Sequence, residues 1–251
     1  MEIRKKDHIG VLVIDSPNNN SINRDFVREA SGLLDEVGND DSLSGLVITS
    51  THPKIFSPGL NLVELATYSF DEMSQFMESF TGLFFKEFGF PKPLVMAVNG
   101  HAIAGGCLIA LPGDYRFMAK GEFQVSLAEI NLAIPIPIGT MGMLKYFTGP
   151  RNAEHVVYSG DGFLPDQALS LGLIDELVEP GRLLEKAMEK AKYFCHKSAT
   201  AFEKDKMYLR KDVLEWMEER EPLHRKEWLD NWFSKECEDL KTKVIEGLSS
   251  K

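Results

Sequence analysis

Two glycine-containing turns carry the residue types that could do chemistry. One of them joins the apolar run 94–98 to a second apolar run at 107–111 through Asn99-Gly100 and the pair Gly105-Gly106. A strand, such a turn and a helix start leave backbone N–H groups at an accessible helix N-terminus. These groups favour negative charge on an oxygen, as on a phosphate or a developing oxyanion. Paired glycines that only let a helix pack closely on a strand are the alternative.

The other turn has the same construction. It follows an apolar run at 46–49 and reads Ser57-Pro58-Gly59-Leu60 before a second apolar helix start. Two turns of this kind at the carboxyl ends of strands can each supply one N–H to the same oxygen. The pair of turns therefore indicates a two-donor site for a negatively charged oxygen.

The elements that position these turns alternate between strands and helices. Strands are predicted at 9–14, 45–50, 94–98, 115–118 and 123–125, and helices at about 24–37, from 69 onward and at 105–111. Such alternation predicts an α/β fold with function at the carboxyl ends of the strands. After about Lys192 no strand is evident and amphipathic helices follow. We therefore divide the chain into a core at 1–192 and a C-terminal helical cap at 193–251.

Length and composition limit the class of protein. The 251 residues are 43% hydrophobic and 26% charged, which suits a globular protein with a sizeable core. A net charge of −10 argues against nucleic acid or an anionic membrane as the main partner. Three widely spaced cysteines indicate free thiols in a reducing compartment. Because no signal peptide or transmembrane run is evident, we expect a cytoplasmic protein.

Both turns resemble hallmarks of the enoyl-CoA hydratase/isomerase (crotonase) superfamily. The segment Phe56–Leu62 resembles Phe-Ser-x-Gly-x-Asp-Leu, with Asn61 in place of the usual Asp. The segment Asn99–Gly106 resembles Asn-Gly-x-Ala-x-Gly-Gly-Gly, with Ala104 in place of the first glycine of the triplet. Two later segments agree with the family pattern, at 114–119 and 168–175. The resemblance covers nearly the whole chain and implies a spiral of ββα units with a C-terminal helical region.

The resemblance also implies the substrate and the site. It assigns an acyl-CoA thioester, with the backbone amides of Leu60 and Gly105 as the two donors to the thioester oxygen. Losing one such donor typically costs about 10²–10³ in rate. The residues expected to contact the substrate are Ser57, Gly59, Leu60, Gly105, Leu108, Ile134 and Pro135. Coenzyme A enters as part of the substrate, so neither a separate cofactor nor a metal is expected.

The number of carboxylates separates the reactions of the family. Family hydratases place two glutamates beside the substrate, and this chain has Leu108 at the first place and Glu129 at the second. The small and apolar residues around Glu129 predict a carboxyl whose pKa is raised toward the working pH. Leu108 cannot exchange a proton, so the pattern is similar to that of the Δ3,Δ2-enoyl-CoA isomerases. A capping or surface role for Glu129 is the alternative that the residues themselves leave open.

Several neighbouring residues receive a structural interpretation. The proline-punctuated segment 134–139 is interpreted as a stiff wall of the acyl pocket, because prolines restrict the backbone and lack N–H donors. A buried loop that only packs is the alternative. Glu64 is interpreted as part of a solvated helix face, with a place at the rim of the pocket as the alternative, and Asp114 as a structural acid after a helix. Val63 stands where the family often has a lysine for the CoA phosphate.

The sequence thus predicts an enzyme that moves a double bond in an enoyl-CoA thioester. An enoyl-CoA hydratase, or another acyl-CoA reaction of the superfamily, is the alternative within enzymes. A non-catalytic acyl-CoA-binding protein is the alternative of another class. Because the C-terminal helices of the family build a trimer, we expect a homotrimer or a dimer of trimers.

Overall fold

Two sheets organise the chain. The structure is a computed structural model that describes residues 1–249, and the side chains of residues 1–247. Its strands are β1 (Glu2–Lys6), β2 (Ile9–Ile14), β3 (Gly45–Ser50), β4 (Ile55–Ser57), β5 (Leu94–Val98), β6 (His101–Ile103), β7 (Tyr115–Ala119), β8 (Val125–Ser126), β9 (Gly162–Phe163) and β10 (Glu176–Val178). The larger sheet has the order β1-β2-β3-β5-β7-β10, and the smaller sheet the order β4-β6-β8-β9. The predicted α/β class is confirmed.

Helices cover both sheets. They are α1 (Pro17–Asn20), α2 (Arg24–Asn39), α3 (Leu62–Leu65), α4 (Phe70–Phe88), α5 (Gly105–Ala110), α6 (Ile138–Ser159), α7 (Pro165–Ser170), α8 (Leu183–Cys195), α9 (Ala199–Trp232) and α10 (Lys235–Ser249). Two short 3₁₀ helices lie at Glu129–Leu132 and Pro180–Arg182. Within the described part of the chain, no helix is long and apolar enough to cross a membrane.

The main core lies between the larger sheet and helices α2 and α4. Strands β2 and β5 are buried along their whole length, as expected for parallel strands covered on both faces. Phe76, Phe80 and Phe84 of α4 are buried, which confirms the helical period read from the sequence. Ser69 begins α4 with a capping box. The strand predicted at 123–125 lies instead at Val125–Ser126, and the N–H of the preceding Gln124 donates to the ring of His101.

The C-terminal part of the described chain is helical, as predicted. The boundary proposed at residue 192 falls inside α8, and α9 begins at Ala199; residues 250 and 251 lie outside the described part. Helix α10 packs against α3 and the 3₁₀ helix Glu129–Leu132, so it covers the carboxyl edge of the smaller sheet. Leu209 and Leu223, which the periodic pattern placed on apolar faces, are 69% and 71% exposed.

A buried ion cluster joins α9 to the core. Asp114 accepts hydrogen bonds from Lys206 Nζ and Arg210 Nη2, each at 2.8 Å, and from the backbone N–H of Leu94. Arg210 also donates to the carbonyls of Phe88 and Pro112. Burial lowers the pKa of Lys206 to about 8, although Asp114 opposes that shift. Asp114 is therefore the structural acid that the sequence suggested. Its two cationic partners lie on a helix about 90 residues away in the chain.

Candidate active site

Three parallel strands of the smaller sheet end at one edge, and a candidate residue follows each of them. Strand β6 pairs in parallel with β4 on one side and with β8 on the other. Leu60 comes three residues after β4, Gly105 two residues after β6, and Glu129 three residues after β8. Because the carboxyl ends of parallel strands meet at the same edge, the topology places the three together.

In the first turn, the N–H of Leu60 points away from the segment that contains Ile22. Leu60 forms a parallel bridge with Ile22, and the two hydrogen bonds of this bridge use the flanking residues. Ile22 N–H donates to the carbonyl of Gly59 at 2.7 Å, and Asn61 N–H donates to the carbonyl of Ile22 at 2.8 Å. Since the polar groups of successive residues in an extended chain alternate in direction, the N–H of Leu60 points to the opposite side.

Gly59 lets the first turn lie directly against the second. Its φ of +88° favours glycine. A Cβ at this position would lie 2.8 Å from the carbonyl oxygen of Ile103 and 3.2 Å from the nitrogen of Gly105. The backbone next to the first candidate donor therefore approaches the second candidate donor within contact distance.

The second turn presents the N–H of Gly105 at the start of α5. As the first residue of that helix, Gly105 has no acceptor for its N–H within the helix. A Cβ on Gly106 would overlap the carbonyl of Ser57, so the glycine is needed for close packing of α5 on the first turn. Neither Leu60 N–H nor Gly105 N–H donates to a carbonyl in the turns, loops and caps of the described residues. Both N–H groups therefore lack an acceptor among these residues.

Ala104, the residue before Gly105, has an unusual backbone conformation. Its φ of 49° and ψ of −120° lie where glycine is favoured, and the family pattern has glycine at this place. Non-glycine residues in such regions typically cost about 1–3 kcal/mol. The N–H of Ala104 donates to the carbonyl of Ser126 at 2.7 Å, which ties α5 to the end of β8. This tie connects the second donor to the segment that leads to Glu129.

Glu129 is a buried carboxyl without a partner for one oxygen. It begins the 3₁₀ helix, is 7% exposed, and its Oε2 has no hydrogen bond. Burial raises its pKa to about 7, with its own backbone N–H partly opposing the shift. Burial, and then the charge of Glu129, raise the pKa of the Cys107 thiol. Since Cys107 lies in the first turn of α5, that carboxyl is close to the second donor.

The other residues predicted to contact substrate differ in burial and in what their side chains contact. Ser57 is buried, and its Oγ donates to the carbonyl of Asn20 and accepts from Gly59 N–H, so its side chain holds the turn. Leu108 is fully buried in the main core. Ile134 is also buried, whereas Pro135 is exposed and lines a cavity of about 460 Å³.

The cavity beside Pro135 lies between the proline-rich segment, α6 and α9. Its walls include Ile138, Met141, Trp216 and Trp228, but none of the three candidate residues Leu60, Gly105 and Glu129. Trp228 Nε1 donates to the carbonyl of Pro135 at 2.8 Å and its ring stacks on Trp232. The tryptophans of α9 therefore hold the segment that follows Glu129. Their amphipathic spacing is visible in the sequence, whereas this contact is not.

This chain belongs to the enoyl-CoA hydratase/isomerase family, whose profile matches residues 4–243. It is 34% identical over 188 residues to enoyl-CoA delta isomerase 1, mitochondrial, of Rattus norvegicus, covering 74% of this chain and 65% of that protein. The matched part therefore spans less than two thirds of that relative. It is 28% identical to a short-chain-enoyl-CoA hydratase of Clostridium acetobutylicum, over 74% of this chain and 72% of that protein.

The fold agrees with a solved structure from the same family. The crystal structure of human mitochondrial delta3-delta2-enoyl-CoA isomerase superposes with a TM-score of 0.95 at 25% sequence identity. The superposition covers 99% of this chain and 98% of the human chain. The family resemblance and the spiral fold that it implied are therefore confirmed.

Proposed function

We propose that this protein moves the double bond of an enoyl-CoA thioester. The observation that carries the proposal is one buried carboxyl, Glu129, beside two unpaired N–H groups at the same sheet edge. Together these groups can take a proton from a carbon and stabilise the charge that the proton leaves behind. Relatives named as isomerases and as hydratases support an acyl-CoA substrate but not one reaction.

The proposed mechanism uses a single proton carrier. The carboxylate of Glu129 accepts a proton from the α-carbon of a 3-enoyl thioester, and the electron pair of that C–H bond moves onto the thioester oxygen. The N–H groups of Leu60 and Gly105 donate to this oxyanion. The protonated Glu129 then returns the proton to the γ-carbon, and the double bond forms between the α- and β-carbons. Proton transfer of this kind calls for neither a metal nor a separate cofactor.

Hydration is the second candidate, and it needs a second acid or base. At the place of a hydratase's first glutamate stands Leu108, a fully buried apolar residue. The described chain has two other buried glutamates. Glu87 lines a small apolar cavity with Leu12 and Ile14 in the main core. Glu221 accepts a hydrogen bond from the N–H of Gly139 and lines the cavity beside Pro135, which Glu129 does not line. The arrangement therefore favours isomerisation.

An assay with paired substrates tests the proposal. Purified protein is given 3-enoyl-CoA and 2-enoyl-CoA esters of several chain lengths, and products are separated by chromatography. We expect interconversion of the 3-enoyl and 2-enoyl esters without a 3-hydroxyacyl product. Rapid hydration of the 2-enoyl esters identifies a hydratase instead, and acyl-CoA binding without turnover identifies a binding protein.

The activity should fall as the pH falls through about 7. Burial raises the pKa of Glu129 to about 7, and the free enzyme needs this carboxyl deprotonated to accept a proton. We expect kcat/KM for isomerisation to be half-maximal near that pH and to drop about tenfold for each further unit of acidification. A profile measured between pH 5.5 and 8.5 that stays flat below 7 contradicts Glu129 as the base.

We propose a homotrimer, or a dimer of trimers, that contacts through the C-terminal helices. The described part of α9 leaves large apolar side chains exposed, at Met207, Tyr208, Leu209 and Leu223. Large apolar side chains left exposed on a helix become buried when a second chain packs against that helix. Multi-angle light scattering at micromolar concentration should give three or six times 28.2 kDa. A 28.2 kDa monomer under the same conditions contradicts the assembly.

A further inference from the structure

The segment before α2 runs alongside the first donor turn and is anchored at both ends. Asn18, Asn19 and Asn20 have φ values of 55°, 58° and 66°, a left-handed run that Asn tolerates better than most residues. The side chain of Asn20 donates to Ser50 Oγ at 2.8 Å and to the carbonyl of Phe56 at 3.2 Å. This run fixes the start of the Ile22 segment, which pairs with both neighbours of Leu60.

Glu64 connects the turn that contains Leu60 to the start of α2. The sequence suggested a solvated helix face, but the side chain is only partly exposed and both carboxylate oxygens accept hydrogen bonds. Oε2 accepts from Asn23 Nδ2 at 2.7 Å and from Asn61 Nδ2 at 3.3 Å, and Oε1 accepts from the Tyr68 hydroxyl at 2.8 Å. Three donors therefore converge on one carboxylate, two from its own segment and one, Asn23, from 41 residues away.

The contacts form a closed ring around the candidate donor. Ile22 is hydrogen-bonded to the residues on both sides of Leu60, and Asn23 follows Ile22 directly. Asn23 is bonded to Glu64, and Glu64 is bonded back to Asn61, the residue after Leu60. Because every link is a hydrogen bond or a covalent bond, the peptide plane of Leu60 cannot rotate without breaking the ring.

Asn61 suits this ring better than the Asp that is usual at its position. Its Oδ1 accepts from the backbone N–H of Glu64 at 3.2 Å, and its Nδ2 donates to the carboxylate of the same residue. An Asp at position 61 can make the first contact but not the second, and it adds a like charge beside Glu64. The departure from the family pattern is therefore matched to the carboxylate that it meets.

We propose that Glu64 is a positioning residue that fixes the direction of the Leu60 N–H in the two-donor site. The expected change in turnover rests on the proposed function. The hydrogen-bonded ring around Leu60 is independent of the reaction. The carboxylate acts through Asn23 and Asn61 and does not itself exchange a proton with substrate. A misplaced donor near a reacting oxygen lowers turnover because the contact matters most in the transition state.

Two substitutions at this position separate positioning from acid–base chemistry. Glu64→Gln keeps one oxygen for the two asparagine amides and places its NH₂ against the Tyr68 hydroxyl, which can accept as well as donate. Glu64→Ala removes every acceptor and opens the ring. The control is Glu36→Ala, since Glu36 is an exposed acid on α2 whose carboxylate makes no hydrogen bond to the described residues.

We expect Glu64→Ala to lower kcat by about ten- to a hundredfold, while KM changes by less than about threefold. Glu64→Gln and Glu36→Ala should retain most of the wild-type kcat. Wild-type kcat in Glu64→Ala, measured on protein that remains folded by circular dichroism, overturns the proposal. Equal loss of kcat in the Gln and Ala variants also overturns it, because Glu64 then acts through its charge or its proton.

Amide hydrogen exchange tests the ring without any substrate. The N–H groups of Ile22 and Asn61 carry the two bonds that flank Leu60, so both should exchange faster in Glu64→Ala and at the wild-type rate in Glu64→Gln. Unchanged exchange in Glu64→Ala refutes the positioning role. If the wild type does not isomerise enoyl-CoA, the proposed function fails, and the exchange rates alone decide the role of Glu64.

Discussion

Replacing Glu129 by Gln should abolish double-bond migration while leaving acyl-CoA affinity nearly intact. The substitution keeps the shape of the side chain and removes the carboxyl that we propose takes up and returns the proton. General acid–base catalysis contributes about 10²–10⁴ in rate, so kcat should fall at least this far. Steady-state turnover of 3-enoyl-CoA and calorimetric titration with an acyl-CoA measure the two effects separately.

Glu87→Gln is the matched control for this experiment. Glu87 is 2% exposed, its Oε2 also has no partner, and burial raises its pKa well above the usual range. It lies in the main core, away from the two donors, so its substitution should leave turnover unchanged. Near wild-type turnover in Glu129→Gln, or an equal loss in both variants, contradicts the single-base mechanism.

Replacing Asp114 by Ala should lower the free energy of unfolding far more than replacing an exposed acid does. Lys206 and Arg210 are 7% and 6% exposed, and Asp114 is the acid that both contact. Removing one partner of a buried ion pair typically costs about 3–5 kcal/mol, because a buried charge is left without compensation. Urea unfolding at pH 7, followed by circular dichroism, measures the free energy of unfolding.

An exposed ion pair provides the comparison for this prediction. Lys120 and Glu179 also form a contact at 2.8 Å, but both side chains are more than half exposed. Glu179→Ala should therefore leave the urea midpoint unchanged, since water replaces the lost partner. If Asp114→Ala behaves like Glu179→Ala, then Asp114 is not what attaches α9 to the core.

The sequence determined the main elements because local patterns specify them. The apolar runs at 9–14, 45–50 and 94–98 became strands with those bounds, and the glycines at 59 and 106 stand where two backbone segments nearly touch. The apolar surroundings of Glu129 in the sequence predicted a buried carboxyl with a raised pKa, and the structure agrees. These features depend on residues near each other in the chain.

Contacts between distant segments decided the rest. Glu64 is not simply part of a solvated helix face, because Asn23 comes to it from another part of the chain. Pro135 and Ile134 are adjacent, yet only Pro135 faces a cavity, since Trp228 of a remote helix packs beside it. The sequence supplied the donors and acceptors, but hydrogen bonds and burial between distant residues depend on the tertiary fold. Local sequence patterns therefore identified the candidate residues. The directions of their polar groups depend on how the chain packs.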